Sequence, residues 1–467
     1  MPRSEGRRAA AQPLSVGAIS LGCPKNLVDT EVMLGLLRQA GFAIVPEARR
    51  ADVILVNTCC FIAPAREEAA EALAEAAALR REGVVAALVC AGCWPQRDAR
   101  ELRARFPEID ALAGPGDVPR IVEIVAGALQ GTGPAAPTAS PSAYLYDHAT
   151  PRLRATPPWT AYLKIAEGCG HRCRFCLIPR LRGRYRSRPL TSVVAEARAL
   201  AAAGVKELNL VAQDTTAYGR DLGGPDLADL LEALSEVKGL RWVRALYGFP
   251  TRVTPRLIEA LATRAIVCQY LDLPFQHADR EVLARMGRPG DGERYLALIA
   301  RLRSAMPDIA LRSTMLVGFP GEDEAAFARL LAFLEAAQLD HVGAFRYSRE
   351  PGTPAADMPD QVPAEVAEER YHAVMARQQQ ISLLRNRQWV GRELKVLIEA
   401  EGTAPGEWLG RSFRHAPEID GGVVLRAPGP RLRPGQFVIA QVVSALPYDL
   451  VAIVGPASSR RDRGRRR

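Results

Sequence analysis

No apolar run in this 467-residue chain reaches the eighteen or so uncharged residues that a membrane-spanning helix requires. The longest candidate, residues 83–96, is too short and contains Trp94-Pro95. Nor is the opening stretch Met1-Pro2-Arg3-Ser4-Glu5-Gly6-Arg7-Arg8 followed by the apolar region of a secretory signal. These absences point to the cytoplasm and to no membrane partner. In that compartment thiols stay reduced, and clustered cysteines read as metal or catalytic sites. Net charge is also scarce where it would matter. Of the formal +9, residues 458–467 carry +5, with six arginines against Asp462, and residues 1–8 carry +2. Only about +2 remains for the body. The Arg-rich tail therefore reads first as a disordered, solubilising end and second as a handle for ribosome or RNA.

A fourth cysteine is missing too. Six of the nine cysteines fall into two sets of three. The compact set is Cys169-Gly170-His171-Arg172-Cys173-Arg174-Phe175-Cys176, and no fourth thiol lies nearby. Iron–sulfur clusters that only transfer electrons normally have four cysteine ligands. A cube held by three keeps one iron open to an outside ligand. The competing reading is a zinc knot with His171 as fourth ligand, but zinc sites usually add a second ligand pair some distance away. The dispersed set is Cys23, Cys59 and Cys93, each just past a short apolar run.

Length and an ordinary balance of 48% hydrophobic and 24% charged residues predict a globular α/β protein of two or three domains. Residues 14–130 alternate apolar runs with helical patterns, as a parallel α/β sheet requires. Strands are expected at 16–21, 53–56, 84–89 and 109–112, and helices at 30–39, 64–81, 97–105 and 119–129. Ligands of such sheets sit beyond the carboxyl ends of the strands. Cys23, Cys59 and Cys93 occupy the turns after strands one, two and three, so they converge. Residues 131–158 are Pro-rich and aperiodic and read as a linker.

From 159 to 388 a second alternation places strands at 161–166, 207–211, 242–246, 270–273, 310–317 and 342–345. This is the pattern of a partial or full β/α barrel, with chemistry at the carboxyl ends of its strands. Residues 389–456 break into five short strand-like runs between Gly and Pro turns, the mark of a small β-barrel. Within 391–454, seven basic residues balance seven acidic ones, a poor electrostatic footprint for a polyanion. Residues 1–13 and 457–467 read as tails.

Taken together these residues resemble the methylthiotransferases of the radical S-adenosylmethionine (SAM) superfamily. The Cys-x3-Cys-x2-Cys loop with Phe175 before its last thiol is similar to the superfamily's cluster loop. The three strand-end cysteines resemble the family's N-terminal domain, the final barrel looks like a TRAM domain, and the order of the three parts is the same. Ser20-Leu21-Gly22-Cys23-Pro24-Lys25-Asn26, Gln213-Asp214-Thr215-Thr216-Ala217-Tyr218-Gly219 and Ala416-Pro417-Glu418-Ile419-Asp420-Gly421 are similar to the branch called RimO. That branch methylthiolates the β-carbon of one aspartate in small-subunit ribosomal protein S-twelve.

The resemblance implies two 4Fe-4S clusters and SAM as cofactors, with a one-electron donor as a further partner. Cys169, Cys173 and Cys176 would hold the radical-generating cluster, whose open iron chelates SAM so that one electron yields a 5′-deoxyadenosyl radical. An auxiliary cluster on Cys23, Cys59 and Cys93 would carry the sulfur to be inserted, on the iron that three cysteines leave open. The chemistry is consistent: a β-hydrogen of aspartate has no accessible pKa, so a base cannot remove it and a radical can.

Phe175, Gln213, Asp214, Gly318, Gly321 and Glu322 are expected to border the SAM or substrate pocket, with Gln276 and His277 also at the barrel mouth. The turn Gly318-Phe319-Pro320-Gly321-Glu322 reads equally as an ordinary βα connection, and His277 as a structural histidine. Glu418 and Asp420 are expected to meet the basic ribosomal protein, free or on the assembling ribosome. Cys60, Cys90 and Cys268 read as buried or incidental thiols. Two alternatives stay open: a tRNA adenosine methylthiotransferase of the same family, and a non-catalytic iron–sulfur scaffold or carrier.

Overall fold

The computed structural model describes residues 13–427 and 432–455, so the expectations for residues 1–12 and 457–467 lie outside it. The chain divides into two compact units. One consists of the residues up to Ala155 together with Glu167–Gly170 and Leu177–Tyr185. The other consists of Thr156–Ala166, His171–Cys176 and the residues from Arg186 onward.

The first unit is a five-stranded parallel sheet. Its strands β1 (Ser15–Ser20), β2 (Ala43–Ile44), β3 (Val53–Thr58), β4 (Ala87–Gly92) and β5 (Ala111–Ala113) lie in the order β2-β1-β3-β4-β5. Helices α1 (Pro24–Gln39), α2 (Ala63–Arg81), α3 (Cys93–Arg105) and α4 (Ile121–Leu129) connect them. Every residue of β3 and β4 is buried, as a central parallel strand covered on both faces demands. Ile54, Val56, Leu73, Leu88, Trp94 and Leu112 are among the side chains of its core.

Several element boundaries differ from expectation. Helix α1 begins at Pro24, directly after Cys23, six residues before the expected start. Pro24 presets the backbone of the first turn, while the polar Lys25 and Asn26 conceal that turn from any apolar period. Strand β4 runs three residues later than expected because Val84 is exposed and the strand continues through the small Ala91 and Gly92. The two-residue β2 was not anticipated at all. The Pro-rich segment after Gly131 has the expected lack of regular structure, but it is a strap rather than a loose linker. Thr138 and Ala139 donate backbone N–H groups to the buried Asp117 carboxylate, and Arg152 pairs with the buried Glu31 at 2.5 Å.

In the second unit, strands β6 (Thr160–Lys164), β9 (Glu207–Val211) and β10 (Trp242–Ala245) form one parallel sheet, and β11 (Tyr270–Asp272), β12 (Ala310–Val317) and β13 (His341–Arg346) form another. Short strands β7 (Ala166–Glu167) and β8 (Arg186–Ser187) precede and follow, in sequence, helix α5 (Ile178–Arg182), which belongs to the first unit. Helices α6 (Leu190–Ala202), α7 (Leu227–Ser235), α8 (Pro255–Thr263), α9 (Arg280–Arg285), α10 (Gly292–Ala305), α11 (Glu324–Ala337) and α12 (Ala364–Arg387) complete a partial β/α barrel. Its helices start where side chains cap them. Asp226, Asp279, Asp291 and Asp323 each accept backbone N–H groups of a first turn.

Strands β14 (Glu393–Glu401), β15 (Glu407–Ser412), β16 (Val423–Arg426), β17 (Phe437–Ala445) and β18 (Leu450–Val454) close into a small barrel in the order β14-β15-β16-β18-β17. Trp408, Val396, Ile398, Leu425 and Val438 fill it. This module packs on the residues that open the strands of the partial barrel. Arg411 forks onto Glu207 at 2.6 and 3.0 Å, Arg414 pairs with Asp340 at 2.8 Å, and the Tyr270 hydroxyl donates to Asp420 at 2.7 Å. The carboxyl ends of the strands, where β/α barrels place their chemistry, face away from these contacts.

Candidate functional site: two groups of thiols and their cations

Cys23 precedes the first turn of α1, and Cys93 opens α3. Cys59 follows the end of β3. Two glycines make room for them. Gly22 has φ +83°, and a Cβ there would come within 2.5 Å of Cys59 Cβ and 2.9 Å of its sulfur. Gly92 has φ +97°, and its Cβ would strike Asn57 Oδ1 at 2.3 Å and Thr58 O at 2.6 Å. Asn26 ties the turns together by donating to Leu21 O at 2.8 Å and Asn57 O at 3.2 Å.

The three thiols share one electrostatic environment. Burial pushes Cys59 up to about 12, and Cys23 and Cys93 add to the rise because like charges gather there. Burial also raises Cys93, while the guanidinium of Arg182, hydrogen-bonded to it, pulls the other way. Arg182, on α5, is buried and donates to Asp29 Oδ2 at 2.5 Å and Asn26 Oδ1 at 2.9 Å. It supplies a fixed cation where three thiolates would need one. Among the described residues no three such side chains close around one point as a single ion's ligands would. A cube does not ask that of them, since its thiolates bind different irons. The donor set thus fits an iron–sulfur cube. Cys60, Cys90 and Cys268 are all buried away from this role, Cys60 and Cys90 in the sheet's core and Cys268 before β11.

In the compact loop all three thiols are partly exposed. Cys169 N–H donates to Gly183 O at 3.1 Å, and Cys176 N–H to Cys173 O at 3.1 Å. Arg174 N–H donates to Met286 O at 2.9 Å. The His171 ring is held by other groups. Its ring stacks on Phe249 with centroids 3.8 Å apart, and Nε2 meets Asp214 Oδ2 at 2.7 Å. Three thiols without the histidine suit a cube with one open iron better than zinc.

Asp214, expected at the pocket, is buried and also binds Arg252 at 2.8 Å and the Thr216 hydroxyl at 2.6 Å. It orients His171. Arg288 lies over the Phe249 ring. It donates to Cys173 Sγ at 3.5 Å and to Pro274 O at 2.6 Å, with its guanidinium 4.4 Å from the centre of the Phe249 ring.

Gln213 is half-buried just past β9. Phe175 packs edge-on against Phe319, with centroids 6.2 Å apart. Two non-glycine residues past strand ends, Tyr247 (φ +59°) and Gln276 (φ +70°), hold strained backbone, a feature that gathers at functional sites. Gly318 (φ +74°) and Gly321 (φ +84°) shape the turn after β12. Glu322 does not reach out of that turn. Its carboxylate accepts from Gly318 N–H at 2.8 Å and Phe319 N–H at 3.3 Å and pairs with Arg370 at 3.1 Å. It braces the turn from inside. His277 is fully buried, its Nδ1 accepting from Asp279 N–H, so it is structural.

Asp420 faces inward. Its side chain is 1% exposed and is taken up by Tyr270, Ala416 N–H and Arg312 inside the second unit, so no partner can reach it. Glu418 is exposed. Sequence reasoning missed Arg182, Arg288, Arg252 and Phe249. None lies in a spaced motif, and only Arg182, six residues past Cys176, sits close enough to one to have drawn notice.

Comparison with known proteins agrees with this arrangement. Family models match an uncharacterised family, UPF0004, over residues 15–114, the radical SAM superfamily over 163–334 and a TRAM domain over 390–454. Among solved structures, the radical SAM methyltransferase TsrM of Kitasatospora setae superposes with a TM-score of 0.56. The match covers 86% of this chain and 81% of that one at 17% identity, a likeness of fold. A protein of Heliobacterium modesticaldum named ribosomal protein uS12 methylthiotransferase RimO is 48% identical over 447 residues, 96% of each chain. One of the same name from Symbiobacterium thermophilum is 49% identical over 449 residues, 96% of this chain and 92% of that one. At that identity over nearly the whole length, the chain belongs to the RimO family of radical SAM methylthiotransferases.

Proposed function

We propose that this chain adds a methylthio group to an aspartate β-carbon of ribosomal protein uS12, in the cytoplasm, using SAM and two 4Fe-4S clusters. The relatives' shared name supports the substrate. The observation that carries the two-cluster reading is the gathering of Cys23, Cys59 and Cys93 around Arg182, apart in sequence from Cys169, Cys173 and Cys176. When bound, the cluster on the compact loop supplies a SAM-derived radical and the auxiliary cluster supplies sulfur. The chain's own contribution is positional. Cys23 and Cys93 present their sulfurs at the starts of α1 and α3, Arg182 sets a cation beside them, and Asp214 fixes His171 and Arg252. Phe175, Gln213, Gly318 and Gly321 border the space past the strand ends where SAM and substrate would meet.

Anaerobically reconstituted protein should hold about eight irons, two four-iron cubes. Alanine at Cys169, Cys173 and Cys176 should remove half. Alanine at Cys23, Cys59 and Cys93 should leave reductive cleavage of SAM intact and abolish methylthiolation of uS12, read by mass spectrometry. Full iron retention by the first variant, or methylthiolation by the second, would overturn the assignment. Modification of tRNA adenosine with none on uS12 would move the chain to the tRNA branch. The balanced charge of the small barrel disfavours that outcome.

A further inference from the structure

We propose that Arg288 sets how readily the radical-generating cluster accepts its electron, by donating an N–H to the sulfur of Cys173. The inference rests on the assignment of that cluster to Cys169, Cys173 and Cys176. Arg288 is 7% exposed, and its two terminal nitrogens are committed, one to Cys173 Sγ at 3.5 Å and one to Pro274 O at 2.6 Å. The face of the guanidinium lies on Phe249, which in turn stacks on His171, held by Asp214. Arg288 Nε is buried with no hydrogen-bond partner, and among the described residues no carboxylate pairs with this side chain. A buried cation without a counter-ion is costly. The negative charge of a thiolate bound to iron would offset that cost.

The effect on the metal follows from charge. Taking up an electron makes the cube and its thiolates more negative. A donor N–H on a ligand sulfur stabilises the reduced state, so the potential rises. Low exposure leaves little water to screen the interaction. Arg288 is thus a positioning residue that acts through Cys173, with no contact to substrate required.

The test uses the full chain with alanine at Cys23, Cys59 and Cys93, so that the remaining iron reports on one cluster. About four irons per chain should be retained; loss of all iron would refute the cluster assignment itself, and this inference with it. With iron in place, the midpoint potential is measured by electron paramagnetic resonance at poised potentials. Arg288→Met should shift it to more negative values and slow dithionite-driven formation of 5′-deoxyadenosine, and titanium(III) citrate, a stronger reductant, should restore the rate. Arg288→Lys keeps the charge but not the fork, so its shift should have the same sign and be smaller. If Arg288→Met loses its iron, Arg288→Lys decides alone. An unchanged potential in an iron-replete variant, or a slow rate that the stronger reductant does not rescue, overturns the proposal.

Discussion

Arg182 Nη1 stands 2.5 Å from Asp29 Oδ2, with both side chains buried. The pair links α5, just after the compact cysteine loop, to α1, which Cys23 caps. Glu167 lies 3.4 Å from the same nitrogen, so one guanidinium neutralises two buried carboxylates while bonding Cys93. Arg182→Met would strand both, and breaking one side of a buried pair costs about 3–5 kcal/mol. Urea unfolding of the apoprotein should show a loss of that order. Adding Asp29→Asn should recover part of it, and a double variant no more stable than the single would refute the pairing.

Gly22 and Gly92 make a prediction about space. An alanine at either position takes a strained positive φ and brings a methyl to within 2.6 Å of the residues around Cys59 or Thr58. Both variants should fold less stably, by about 1–3 kcal/mol of strain, and lose auxiliary iron while keeping the iron of the compact loop. Gly41, also at positive φ, meets nothing within 4 Å. Gly41→Ala should therefore leave the iron count unchanged, which makes it the control.

What could be read from the chain beforehand was whatever local spacing encodes. The compact cysteine loop, the strands at Glu207–Val211 and Ala310–Val317 and the five runs of the small barrel are short-range patterns, and they were legible. Convergence of Cys23, Cys59 and Cys93 was legible too, because the topology of a parallel sheet dictates where its strand ends meet. Arg182 and Arg288 were not. Each acts through partners far off in sequence, Asp29 across 153 positions and Cys173 across 115, and no periodicity carries that information. The inward placement of Glu322 and Asp420 was hidden for a related reason. An acidic residue in a turn looks exposed in sequence, and only tertiary packing reveals a buried arginine opposite it.

Glu322 and His277 set a pH dependence of opposing signs. Burial raises Glu322 from 4.5 to about 7, although Arg370 and the turn's N–H groups pull it down. Between those values the folded chain binds more protons than the unfolded one, so this group makes stability fall as pH rises from about 4.5 to 7. Burial lowers His277 from 6.5 to about 4, which makes stability rise across roughly the same window. The two slopes oppose each other in wild type. Glu322→Gln should expose the histidine's contribution, giving stability that climbs with pH from about 4 to 6.5. His277→Gln should expose the opposite slope. Denaturation midpoints at several pH values decide, and parallel curves for all three proteins would refute the argument.

The expectation that the barrel's acidic turn meets the partner can be tested at Glu418 and Asp420, two residues apart and differently placed. Glu418 is exposed, so Glu418→Lys should leave stability and iron content unchanged while weakening binding to the basic ribosomal protein uS12. Charge complementarity also requires the wild-type interaction to weaken with salt and the variant's to depend on salt less. Asp420→Lys should behave otherwise. It sets an ammonium beside the half-buried Arg312 and takes the acceptor from Tyr270 and Ala416, so it should destabilise the fold by about 3 kcal/mol or more before any effect on binding is read. Binding isotherms for uS12 and for unmodified tRNA at two salt concentrations, with thermal unfolding alongside, distinguish the two roles. A folded Asp420→Lys variant of wild-type stability would refute the structural role given to that carboxylate. Unaltered uS12 binding by Glu418→Lys would remove the barrel's acidic turn from the recognition surface, since an exposed charge that contributes to the encounter cannot be reversed without changing its salt dependence.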